Sequence, residues 1–356
     1  MLRKMNIPPG IFKGYDIRGI YPDELNEENI TPIIKAIYKY FQDSLGKKQL
    51  SVGLGKDMRT STPALFEVAS QTLVDLGADI TDLDLVSTPT FYFAVFKYKY
   101  DIGIQITASH NPKEYNGIKI IKNAPNGLIK IGKTMGLDNI KKMSLEGVGA
   151  IKSEGGSITK KEGVVEEEVD SAIDVIGNPE IKEFKIVADP ANAMGSLYID
   201  ALFKKVPGNL IRMNFELDGN FPAHQPDPLQ PDNLIPLQKR VIEEKANLGL
   251  APDGDGDRLF FVDENGDVVP PSVITALVAR ELLKKYKGEK ILADIRYVMT
   301  PKKVTEQEGG QFIMTRVGHA YITESLNEPG GLFAGESSAH YYFRHTGGAE
   351  SQIPVI

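Results

Sequence analysis

The stretch SVGLGKDMRTSTPALFEVASQTLVDLG, residues 51–77, holds a strand and a helix in succession. Ser51–Leu54 is a short strand candidate. Thr62-Pro63 then opens a helix, with Thr as the cap and Pro at the first helical position. Leu65, Val68, Ala69, Leu73 and Leu76 fall on one face, and Gly77 ends the helix. Outward from here the rhythm repeats. Thr31-Pro32 predicts another helix start, and Ile102–Thr107 and Gly117–Ile121 are strand candidates. Gly147–Gly156 is small, polar and Gly-rich and reads as a linker. Beyond it come a helix over Val164–Ile176, a strand at Lys185–Ala188 and a helix near Met194–Lys205. Asp218–Asn233, rich in Pro, Asp and Asn, reads as a long loop. From Leu248 the pattern gives a strand into Asp253, a strand at Leu259–Val262 and a helix near Ser272–Tyr286. Strands at Ile291–Ile295, Gln311–Thr315 and Gly331–Ala334 follow, with a helix after His319. Strand–helix alternation predicts an α/β fold, and its threefold recurrence predicts three similar α/β domains: 1–148, 149–247 and 248–356.

Bulk properties narrow the function. With 356 residues, 41% hydrophobic and 25% charged, the chain has the make-up of a globular enzyme of several domains. Its net charge of -7 argues against a nucleic-acid partner. Lys284-Lys285-Tyr286-Lys287 reads as a solvated helix end. The absence of cysteine excludes disulfides, thiolate zinc sites and a cysteine nucleophile. Arg3 and Lys4 are followed by Pro8-Pro9-Gly10 with no apolar segment between, so neither a signal peptide nor a membrane span is expected, and the cytoplasm is the expected compartment.

Two polar loops, each directly after a strand candidate, carry the chemistry. Thr107-Ala108-Ser109-His110-Asn111-Pro112 offers a hydroxyl beside an imidazole. A serine hydroxyl is a weak nucleophile that needs a base or a metal, and the plain alternative is a polar turn. Asp253-Gly254-Asp255-Gly256-Asp257-Arg258 offers three alternating carboxylates that call for a hard cation such as magnesium. An EF-hand is disfavoured, because Arg258 stands where the sixth position needs Gly and Leu259-Phe260-Phe261-Val262 reads as a strand. A metal-free acidic turn remains an alternative. So does an aspartyl-phosphate enzyme centred on Asp253, although its pattern expects Thr or Val at Asp257.

Three carboxylates and one divalent cation leave a net negative charge, and a phosphate adds about -1.5 to -2, so such a site needs further cations. Arg258, Lys119, His110, Arg18, Lys56 and Arg59 are the candidates. A third loop, Gly335-Glu336-Ser337-Ser338-Ala339-His340, also follows a strand candidate. If it is extended, Glu336, Ser338 and His340 share one face suited to sugar hydroxyls. His224 and His345 read as surface or loop groups. Loops beyond the carboxyl ends of strands are where α/β sheets bind ligands.

Taken in order, these motifs closely resemble the α-D-phosphohexomutase family, which includes phosphoglucomutase and phosphomannomutase. K-G-Y-D-I-R-G at 13–19 is similar to its N-terminal signature, and T-A-S-H-N-P at 107–112 to its phosphoserine loop. D-G-D-G-D-R at 253–258 is similar to its magnesium loop, and G-E-S-S-A-H at 335–340 to its sugar-binding loop, with Ala339 in place of the usual Gly. The resemblance spans essentially the whole chain and implies mixed sheets around a central cleft. It implies Ser109 as phosphoserine, Mg²⁺ on Asp253, Asp255, Asp257 and the Ser109 phosphate, and His110, Lys119 and Arg258 in catalysis. It implies Tyr15, Arg18, Arg296, His319, Glu336, Ser338 and His340 as substrate-binding groups. The implied activity interconverts hexose 1- and 6-phosphates through a hexose 1,6-bisphosphate.

Family members continue into a fourth domain that grips the non-reacting phosphate. Here the chain stops at Ile356, within what reads as a helix over Glu350–Ile356, so a truncated chain with poor turnover is expected. A chain that binds sugar phosphate without turnover is the non-enzymatic alternative.

Overall fold

The computed structural model describes residues 7–149, 151 and 153–356. Arg3 and Lys4, on which the N-terminal reading turned, lie outside these residues, as do two positions of the expected linker. Three mixed sheets organise the chain. The first contains β1 (Ile17–Ile20), β2 (Ser51–Lys56), β3 (Asp79–Leu85), β4 (Ile102–Ile106), β5 (Tyr115–Ala124), β6 (Gly127–Lys130) and β7 (Ser157–Lys160). Its order is β1-β5-β4-β2-β3-β7, with β6 paired to β5. The second contains β8 (Lys185–Ala188), β9 (Asn209–Arg212), β10 (Leu248–Pro252), β11 (Leu259–Asp263) and β12 (Val268–Val269), in the order β12-β11-β10-β8-β9. The third contains β13 (Lys290–Asp294), β14 (Gln311–Thr315), β15 (Phe333–Gly335), β16 (Tyr341–Phe343) and β17 (Ala349–Glu350), in the order β14-β13-β15-β16-β17. The helices are α1 (Glu27–Leu45), α2 (Thr62–Asp75), α3 (Thr88–Lys97), α4 (Leu137–Glu146), α5 (Val164–Ile176), α6 (Gly195–Phe203), α7 (Pro231–Glu244), α8 (Pro271–Lys285), α9 (Met299–Gln307) and α10 (His319–Asn327).

One device recurs in all three sheets. A strand that runs parallel to its inner neighbour turns back through a short loop into an antiparallel partner. The pairs are β4–β5, β10–β11 and β15–β16. The loops that close them are the Ser109 loop, the triple-Asp loop and the Glu336–His340 loop. All three therefore leave the carboxyl end of a parallel strand, where helices cover the faces and binding groups collect.

The domain boundaries differ from those read in the sequence. Chain 157–160 returns to the first sheet as β7, parallel to β3, so the first domain runs past the Gly-rich stretch. β10, β11 and β12 complete the second sheet rather than opening the third. The triple-Asp loop thus belongs to the second domain. Parallel pairing of β10 with β8 decides this, and such long-range pairing has no local signature.

Local starts and stops also shift. α1 begins at Glu27 because Asn26 caps it, accepting from the Glu28 and Asn29 amides while Asn29 accepts from the Asn26 amide. Pro32 consequently lies inside that helix. In α2, Thr62 is the first helical residue rather than the cap, and its hydroxyl donates to Asp57 at 2.7 Å. Leu65, Ala69 and Leu73 of α2 are buried, as their spacing requires. The expected helix over 350–356 does not form. Glu350 closes β17, and Ile353–Val355 makes a single 3₁₀ turn opened by Pro354. Among the described residues, no helix is long and apolar enough to cross a membrane.

Candidate active site

The Ser109 loop is shaped by one buried cation. Arg59, 1% exposed, donates to the carbonyls of Ser109 (2.7 Å), Asn111 (2.7 Å), Pro112 (2.7 Å) and Tyr115 (2.9 Å). Arg18 adds bonds to the Ala108 carbonyl at 3.2 Å and to the Asn111 side chain, with Asp16 holding its Nε. Arg59, read from the sequence as a cation for phosphate, is instead spent on main-chain carbonyls. Lys56 is not brought to the site either, since it pairs with Asp84 and lies over the Phe66 ring. Ser109 itself takes φ = 53°, in the left-handed region, a strained conformation for a serine that the surrounding bonds hold in place. Its Oγ lies 3.1 Å from His110 Nδ1 and 3.1 Å from Asp253 Oδ2. Burial, reinforced by Arg258 and Arg18, pushes the His110 imidazole down to about 2. The ring is therefore neutral near pH 7.

The triple-Asp loop meets the Ser109 loop across the domain seam. A Cβ at Gly254 would fall 2.3 Å from the Ser109 carbonyl oxygen, so only glycine permits this approach. Asp253, Asp255 and Asp257 are buried, and one carboxylate oxygen from each lies within 4.8 Å of the others. Burial, with Asp257 and Asp255 adding to it, pushes Asp253 up to about 8. Asp255 Oδ1 is buried with no partner among the described residues. An orphaned oxygen among crowded carboxylates fits a hard divalent cation. Lys119 partly offsets the charge, with its Nζ 2.6 Å from Asp255 and 2.5 Å from Asp257. Burial opposes its charge, but Asp255 and Asp257 raise its pKa well above the usual lysine value. Arg258 has two buried nitrogens, Nε and Nη1, with no hydrogen-bond partner among the described residues, and it lies 3.8 Å from Asp227 and 4.0 Å from Asp253.

The third loop brings Glu336, Ser338 and His340 together by turning rather than by extension. The Ala339 amide donates to the Glu336 carbonyl, and the Glu336 amide to the His340 carbonyl. Ala339 takes φ = 64°, which explains why glycine suits this position. His340 Nδ1 lies 2.8 Å from Ser338 Oγ and 3.0 Å from Glu336 Oε2, while its Nε2 lies 3.1 Å from Asp257. Burial works against protonating His340, but Asp257 and Glu336 outweigh it and raise the imidazole to about 9. Glu336 also accepts from the Gly318 amide at 3.0 Å and from Tyr342 at 2.9 Å. Arg296 reaches Asp294 and, at 3.4 Å, Glu336. The His319 ring sits 5.0 Å from Tyr15 and 6.4 Å from His340, centroid to centroid. Burial pushes it well below the ordinary histidine value.

The three loops thus converge, with Lys119, Arg18, Arg258, Arg296, His319 and Tyr15 around them. Of the remaining histidines, His224 bonds Asp189 at 3.2 Å within the loop before α7. His345, read as a surface or loop group, lies in the turn between β16 and β17, half-buried with both ring nitrogens unpartnered among the described residues, and burial lowers it to about 4.

Two supports of the site were not read from the sequence. Gln225 holds the His110 carbonyl at 2.9 Å. Thr88 bonds Asp255 Oδ2 at 2.7 Å. The signal for Thr88 was present, because Ser87-Thr88-Pro89 repeats the hydroxyl–proline helix opening seen at residues 62–63, with Ser87 as the cap.

Comparison with known proteins places this arrangement. Models of the phosphoglucomutase/phosphomannomutase family match the chain as alpha/beta/alpha domain I over 9–134, domain II over 167–266 and domain III over 270–350. The chain belongs to the phosphoglucomutase/phosphomannomutase family. The domain II match includes the triple-Asp loop, in agreement with the sheet that carries it. A phosphomannomutase of Vibrio cholerae is 36% identical over 351 residues, covering 97% of this chain and 75% of the relative. A phosphomannomutase/phosphoglucomutase of Pseudomonas putida is 33% identical, with 95% and 70% covered. The solved structure of a phosphoglucomutase/phosphomannomutase family protein from Burkholderia thailandensis superposes with a TM-score of 0.86 at 28% identity, over 98% of this chain and 75% of that one. Phosphoglucomutase/phosphomannomutase family members are phosphotransferases of the isomerase class.

Proposed function

We propose that the chain interconverts hexose 1-phosphates and hexose 6-phosphates, with Ser109 as the carrier of the transferred phosphoryl group and the cytoplasm as its compartment. The phosphoryl group passes from Ser109 Oγ to the free hydroxyl oxygen of the bound hexose monophosphate. The P–Oγ bond breaks as the new P–O bond forms, its electron pair staying on Ser109 Oγ, which takes up a proton, while the hydroxyl proton goes to a basic group lining the cleft. The resulting hexose bisphosphate turns around in the cleft and returns its other phosphoryl group to Ser109. Asp253, Asp255 and Asp257 would hold Mg²⁺, whose charge offsets that of the transferring group. The unpartnered Arg258 nitrogens, together with Lys119, stabilise the equatorial oxygens. Glu336, Ser338 and His340 take sugar hydroxyls, and Tyr15, Arg18, Arg296 and His319 complete the substrate surface.

One observation carries this reading. Ser109 Oγ stands 3.1 Å from Asp253 Oδ2 although the two residues come from hairpin loops of different domains. An aspartyl-phosphate reading centred on Asp253 is less favoured, because Asp257 stands where that pattern expects Thr or Val. A coupled assay of glucose 1-phosphate and mannose 1-phosphate conversion, primed with glucose 1,6-bisphosphate, tests the proposal. Wild type should turn over at least one substrate, and Ser109→Ala should lose activity by orders of magnitude. Binding of sugar phosphate with no conversion would favour the non-turnover alternative.

A further inference from the structure

Helix α3 of the first domain begins inside the seam against the second domain. Its opening residues Ser87, Thr88 and Thr90 are fully buried, as are Asp255 and Glu168 opposite them. Buried hydroxyls need partners, and here each has a separate one. Thr90 donates to Glu168 Oε2 at 2.6 Å and lies 2.8 Å from Ser87 Oγ. Thr88 turns the other way. Its amide donates to the Asp255 carbonyl at 2.8 Å, and its hydroxyl donates to Asp255 Oδ2 at 2.7 Å. Lys119 Nζ sits 2.6 Å from that same oxygen. Asp255 Oδ1 is left buried and, among the described residues, unpartnered. One side of the carboxylate is thus committed to the first domain, and the other is left for a ligand.

We infer that Thr88 is a positioning residue for Asp255, fixing which of its oxygens faces the cation held by the three aspartates. The inference rests on the proposed metal role of that loop. An aspartate carboxylate turns easily about its terminal torsion, so a lone ligand spends orientation freedom on binding. A donor clamped to one oxygen removes that freedom beforehand, as outer-sphere partners do in metal sites generally. Two donors from one residue, main chain and hydroxyl, also fix the loop's distance from helix α3. The cation affinity of the second domain therefore depends on a residue of the first.

Mn²⁺ titration of the full chain, followed by water-proton relaxation, reads this without turnover. Thr88→Val and Thr88→Ala should bind Mn²⁺ about 10-fold more weakly or worse. Thr88→Ser, which keeps the donor, should stay within about twofold of wild type. Glu168→Gln disturbs the same helix start without touching Asp255, and should also stay within about twofold. Thermal unfolding of each variant establishes that it is folded, and the alanine variant serves where valine is too disruptive. Wild-type Mn²⁺ affinity in a folded Thr88→Val or Thr88→Ala protein would overturn the positioning role alone. Equal weakening by Glu168→Gln would overturn it too, by reducing the effect to packing of the seam. Wild-type protein that takes up no Mn²⁺ would overturn the metal reading itself, and the inference with it.

Discussion

Arg59 donates to the Ser109 carbonyl at 2.7 Å and, through the same guanidinium, to three further carbonyls of the loop that follows. A buried guanidinium here does the work of a secondary-structure ladder for a segment that has none. It lets Ser109 sit at a positive φ with its hydroxyl facing the second domain.

Replacing Arg59 by Met should leave the Ser109, Asn111 and Tyr115 carbonyls without partners, while the Pro112 carbonyl keeps the Tyr115 amide at 3.0 Å. At roughly 1 kcal/mol or more apiece, the cost should exceed about 3 kcal/mol. Arg59→Lys should recover only a minor part, because an ammonium has three donors and no planar fork. Urea unfolding of both variants measures this. A lysine variant as stable as wild type would contradict the brace.

Glu168 predicts a pH dependence of stability. Its carboxyl is fully buried, and burial raises it from 4.5 to about 7, with the Thr90 hydroxyl opposing. Between about pH 4.5 and 7 the folded chain therefore keeps a proton that the unfolded chain has released. Stability present below the unfolded value is lost as pH rises through that window. The loss should be on the order of 3 kcal/mol. The difference between wild type and Glu168→Gln in urea midpoints, taken from pH 4 to 8, isolates this group. The gap should favour the variant progressively up to about pH 7 and then level off. A gap that does not change with pH would refute it.

Lys130 of β6 and Glu350 of β17 form a buried ion pair that joins the first sheet to the third. The Lys130 ammonium lies between two rings, 4.7 Å from the Tyr92 centroid and 5.0 Å from that of Tyr342. Removing one charge strands the other, so Glu350→Gln should cost about 3–5 kcal/mol. Lys130→Met with Glu350→Leu should cost clearly less than the two single changes summed. Unfolding free energies across this double-mutant cycle give the coupling, and strict additivity would mean the pair holds nothing together.

Most elements were legible because their signals are local. Val164–Ile176, Lys185–Ala188 and Gln311–Thr315 fall where periodicity and breakers put them. The three chemical loops were legible because strands stop abruptly at clusters of Ser, Asp, Gly and His. What was not legible depends on partners distant in sequence. β10 pairs with β8 and not with the third sheet, which moves the triple-Asp loop to another domain. Arg59 looked like a free cation until the carbonyls around it came into view. Asn26 outcompeted Thr31-Pro32 as a helix start because its capping box satisfies more orphan donors. Glu336, Ser338 and His340 were grouped correctly, but a turn brings them together and not the pleat of a strand.

The most direct test of the account is where phosphate goes. The chain is incubated with glucose 1,6-bisphosphate and Mg²⁺, digested, and its phosphopeptides are mapped by mass spectrometry. One added phosphate on Ser109, absent from Ser109→Ala, is the predicted result. Phosphate on Asp253 with Ser109 unmodified would contradict it.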